Sequence, residues 1–115
     1  MLPDGSRHLI TTTIVAGQLY SLYVIPDSMV NSYYVNLVVG SYDTPSPSAI
    51  HSTVLTDGDK QKDPQLAINK VVAEMNTALA AYFGAHPSPV TWEEKFEAMV
   101  AALTFFFQGN VPQIK

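Results

Sequence analysis

The chain contains no cysteine, which removes disulfides, thiol nucleophiles and zinc–thiolate sites together. Arginine occurs once, at Arg7, so planar bidentate clamps on carboxylate or phosphate are nearly absent. Charge of either sign is scarce, at 14% of residues against a usual value of about 25%. A surface built from so few charges leaves neutral area open to association. Six basic and ten acidic residues give a net charge of −4, with no broad positive field to attract phosphates, and nucleic acid is not an expected partner.

Long apolar runs are missing too. The longest, Ala98 to Phe107 with Thr104 inside it, falls well short of the ~20 residues that cross a bilayer, so no membrane association is expected. Met1-Leu2-Pro3-Asp4-Gly5-Ser6-Arg7 places proline and an acid where a secretory leader carries basic residues. The expectation is a cytoplasmic protein.

Chemistry-bearing motifs are equally thin. Gly40-Ser41-Tyr42 lacks the G-x-S-x-G elbow, and no glycine-rich phosphate loop or G-K-[ST] is present. Asp57, Asp59 and Asp63 have the alternation of a calcium loop, but Lys62 stands where that loop needs glycine and Ile68 where it needs a bidentate glutamate. His8, His51 and His86 are scattered, none with a ligand partner four residues on. Glu93, Glu94 and Glu97 are accounted for as carboxylates at the positive end of a helix. No catalytic residue, metal ligand or cofactor site is assigned, and the reading leans away from an enzyme.

What is present is a change of hydrophobic period across Asp57 to Pro64. Before it, β-branched and aromatic residues predict strands at 8–16, 19–25, 32–39 and 49–56. Gly17-Gln18 suits a type II′ hairpin between the first two. Past the switch, Asp63 as cap and Pro64 at the first helical position predict a helix over 64–83 with Gly84 as its stop. Ile68, Val71, Val72, Met75, Leu79, Tyr82 and Phe83 share its inner face, with Glu74 turned away. Thr91-Trp92-Glu93-Glu94 matches a capping box and starts a second helix over 92–108. The predicted architecture is a single α+β domain over residues 1–115. It has two layers, an antiparallel sheet of three to four strands in the order β-β-β-β-α-α, with both C-terminal helices packed on one face.

Alternation puts large apolar groups on both faces of the strands, and two helices cover only one. Leu9, Thr11, Thr13, Val15, Tyr20, Leu22 and Val24 share one face of the first hairpin, and Ile10, Thr12, Ile14, Tyr23 and Ile25 the other. The expectation is a small non-enzymatic protein-binding, assembly or inhibitor module. It would form a homodimer or bind an unidentified protein through Tyr20, Leu22, Tyr34, Val38 and Tyr42 on the sheet and Phe105 on the second helix. The simpler account of the second face is that segments 26–32 and 40–49 fold over it. For Phe105 it is packing beneath Val111 and Ile114. The alternative function is a small-molecule-binding protein or small enzyme with a pocket between sheet and helices, where His51 and tyrosines supply the polar contacts.

Overall fold

The computed structural model describes residues 7–41, 48–56, 58, 62–87 and 91–109. Four strands form one antiparallel sheet in sequence order: β1 (His8–Val15), β2 (Gln18–Asp27), β3 (Ser32–Val39) and β4 (Ser48–Thr56). Two helices follow, α1 (Pro64–Ala85) and α2 (Glu93–Gly109). Both lie on one face of the sheet, α1 mainly over β4 and α2 mainly over β1.

The β1–β2 turn departs from the type II′ expectation. Val15 pairs with Gln18, so Ala16 and Gly17 are the central residues, and both have positive φ, 51° and 81°. That is the type I′ signature, whose twist matches the strands it joins. Moving the turn centre by one residue shifts the pairing by two and leaves the faces unchanged.

A bulge between Leu9 and Thr11 does change them. It turns Ile10 toward the helices, where it packs on the core, and leaves Leu9 opposite Tyr23 on the outer face, the reverse of the simple alternation. The same step brings His8 under α2, its ring 5.1 Å from that of Phe106. A second bulge, between Leu37 and Val38 in the β3–β4 register, likewise brings Ile50 to the core beside His51.

The core lies between the layers. Tyr20, Leu22 and Val24 of β2 and Tyr33, Val35 and Leu37 of β3 meet Ile68, Val71, Met75 and Leu79 of α1 and Phe96, Met99, Leu103 and Phe107 of α2. Tyr20 sits in an aromatic group with Tyr82, Phe83 and Phe96, ring centres 5.4 to 6.2 Å away. Its hydroxyl bonds Tyr82, and burial, this hydrogen bond and the charge Tyr82 gains on ionising together push its pKa up to about 12.

Asp63 caps α1 by accepting from the Leu66 N–H at 3.1 Å, as its position before Pro64 predicts. Gly84 does not end this helix. The last turn runs to Ala85, and His86 closes it, its N–H donating to the Tyr82 carbonyl at 2.8 Å and its ring stacked on Tyr82. Pro87 follows and cannot continue a helix. In α2 the first helical bond runs from the Phe96 N–H to the Trp92 carbonyl, which makes Trp92 rather than Thr91 the cap position.

Candidate functional site: the outer face of the sheet

The strand register sorts the expected interface residues onto different surfaces. Tyr20 pairs with Val39 and Leu22 with Leu37, so both belong to the layer under the helices, where Tyr20 is 4% and Leu22 0% exposed. These two are core, not interface. Alternation gave two apolar faces and no means of telling which one the helices cover. Tyr34 and Val38 lie on the opposite, outer face, where Tyr34 is half-buried and Val38 buried. Phe105 projects from α2 at 67% exposure, far from that face. Tyr42, Asp57, Asp59, Val111 and Ile114 lie outside the described residues.

Across the outer face the register defines rows of neighbours. Ile14 pairs with Leu19, and Thr12 adjoins Ser21, which adjoins Val38. Leu9, Tyr23, Asn36 and Ser52 form the next row, then Ile25, Tyr34 and Val54. The middle of the face is held by polar bonds. Ser21 donates to the Gly40 carbonyl at 2.6 Å, and Ser52 donates to the Asn36 side-chain carbonyl at 2.6 Å. Tyr23 is buried. The open apolar groups stand at the margins: Leu9, Ile14 and Val54, each about half exposed.

Beyond Ile25, Tyr34 and Val54 the outer face has a polar row, Asp27, Ser32 and Thr56, and the β2–β3 hairpin tip lies past it. The tip runs Ser28-Met29-Val30-Asn31, fastened by Asp27 accepting from the Met29 N–H at 3.0 Å and by Asn31 at φ 50° donating to the Ser28 carbonyl. Asp, Ser and Asn take the positions where their side chains favour a turn. Met29 and Val30 do not follow that logic: they are 92% and 55% exposed at a tip where small polar residues are the rule. Residues 26–32 therefore do not fold back over the sheet; of the other segment expected to do so, 40–49, residues 42–47 lie outside the described residues. Sequence reasoning treated 26–32 as a connection and passed over this pair, although two adjacent apolar residues inside a Pro-Asp-Ser turn were the available signal.

A second constellation lies between the layers. The Thr53 hydroxyl donates to Oε2 of Glu74 on α1, and His51 Nε2 stands 3.9 Å from the same oxygen, buried and without a hydrogen-bond partner. Glu74, placed on the solvent side by helical spacing, flanks the sheet instead. Thr53 is only 8% exposed, and its hydroxyl is engaged by the carboxylate. Both His51 and Thr53 address the carboxylate rather than each other, His51 from beyond direct hydrogen-bond distance. Surface cavities lined by described residues lie elsewhere. One of about 240 Å³ is lined by Lys62, Asp63, Leu66, Ala67 and Lys70, and one of about 300 Å³ lies between the helices. Among the described residues no group of three or more His, Asp or Glu side chains is placed to hold a metal, and no helix is long and apolar enough to cross a membrane.

No family model, curated protein or solved structure matches the chain.

Proposed function

We propose that the protein is a non-enzymatic protein-binding module that pairs with a second copy of itself through the outer face of its sheet. The observation that carries this reading is the exposed Met29–Val30 tip, which lies one polar row, Asp27, Ser32 and Thr56, beyond Ile25, Tyr34 and Val54. Large apolar side chains at a turn cost solubility and bring no local structural gain, which supports a role in contact. Charge favours a like partner. The strand residues of this face carry one carboxylate, Asp27, although the chain as a whole has a net charge of −4. Two such faces meet without stacking like charges.

A standard contact buries ~800 Å² on each partner, so it spreads from the hairpin tip across Leu9 and Ser52. Tyr34 supplies an aromatic body at its centre. Light scattering on a sizing column tests the reading. The expected mass is near twice 12.6 kDa, and Val54→Glu, which plants a charge on the face without touching the core, should halve it. A wild-type chain that elutes as a monomer at roughly 100 μM, a concentration at which a micromolar complex is nearly saturated, overturns it.

A further inference from the structure

The groove between α1 and α2 has a chemistry of its own, independent of the sheet. Asn76 of α1 forms one wall, and Trp92, Glu93, Phe96, Glu97 and Val100 form the other wall and the floor, around about 300 Å³. Phe96 is buried, while Trp92 and Val100 are half-buried, so the floor is apolar. Glu93 and Glu97 stand above it, both exposed and four residues apart on the same helix. Like charges at that spacing repel. Among the described residues neither is in an ion pair, and no basic residue lines the groove.

The helix N-terminus explains why carboxylates are tolerated in the first turn of α2. It does not explain why two of the three glutamates border an apolar floor while Glu94 does not. We propose that this groove receives a Lys- or Arg-bearing apolar segment of a partner protein. The cation lies between Glu93 and Glu97, and its aliphatic stem rests on Val100 and Trp92. The alkyl part of a long basic side chain packs on apolar surface while its head stays at the wet rim, and an indole face attracts a cation further.

Trp92 is the chain's one tryptophan, so its fluorescence reports the groove directly. The full chain is titrated with an acetylated, amidated Leu-Arg-Leu peptide and with a Leu-Gln-Leu counterpart. The Arg peptide should give a saturable change with a dissociation constant on the order of millimolar, as befits one small contact. Its binding should weaken about fivefold with the Gln peptide and in the E93Q/E97Q double variant, each of which removes the ion pair. E94Q should bind as the unchanged chain does, and so should Val54→Glu, which separates this proposal from the dimer. No saturable change up to about 10 mM peptide, equal binding of both peptides, or equal losses in E94Q and E93Q/E97Q would overturn it. If E93Q/E97Q instead halves the mass in solution, the occupant is a second copy and the partner-protein proposal fails.

Discussion

Leu22→Ala and Val54→Ala, made side by side, separate the buried layer from the open one. Leu22 is 0% exposed, at the centre of the sheet opposite Leu37 and beneath both helices. Its truncation removes buried methyl groups and leaves a cavity that a sheet flanked by α1 and α2 only partly closes. The comparable range is about 3–5 kcal/mol. Against a total stability of roughly 6–17 kcal/mol for a chain this long, that is a large fraction. Val54 is 48% exposed, so its truncation gives up half as much burial and opens no enclosed void, for a cost of about 0.5–1 kcal/mol. Urea denaturation followed by Trp92 fluorescence, at one protein concentration low enough to keep the chain monomeric because a dimer couples stability to concentration, reads both. The slope should stay constant and the midpoints should move by very different amounts. A Leu22→Ala cost below about 1 kcal/mol, or no larger than that of Val54→Ala, would show that the helices do not cover the face of β2 that carries Leu22.

Two further outcomes follow from local structure. Ala16 holds φ at 51°, a conformation that costs a residue with a β-carbon roughly 1 kcal/mol; Ala16→Asn, completing the preferred Asn-Gly pair, should raise stability by about 0.5–1 kcal/mol in the same urea assay. Tyr20 has its pKa raised to about 12, so above about pH 10 the unfolded chain loses a proton that the folded one keeps. The Tyr20 contribution to stability is therefore level below about pH 10 and falls by about 2–3 kcal/mol as pH rises toward 12. Tyr20→Phe should remove that contribution, and an alkaline limb as steep as the unchanged chain's would contradict it.

The order of elements was legible because each carries its own local signal. β-Branched runs, Asp63-Pro64 and the helical spacing of Ile68, Val71, Met75 and Leu79 needed no tertiary information. The allocation of faces was not. Tyr20 and Tyr34 have the same local character, and only the β2–β3 register together with the helix positions makes one core and the other surface. Bulges at Ile10 and Ile50 are also invisible to a period-two count, since they arise where an apolar side chain gains more from the core than an unbroken ladder would give. Glu74 was missed for a related reason: the helix fixes its angle, but its contact with Thr53 depends on how far β4 extends beneath α1. Met29 and Val30 stood in plain view, and reading 26–32 as a connection hid them.

The absence of cysteine permits the most direct test of the outer face. A single thiol introduced by Val54→Cys, or separately by Phe105→Cys, is labelled by a maleimide across a range of protein concentrations. If the sheet is the self-association surface, labelling at position 54 slows as concentration rises while labelling at position 105 stays constant. Constant labelling at position 54 with protection at position 105 would place the contact on the back of α2 and contradict the account.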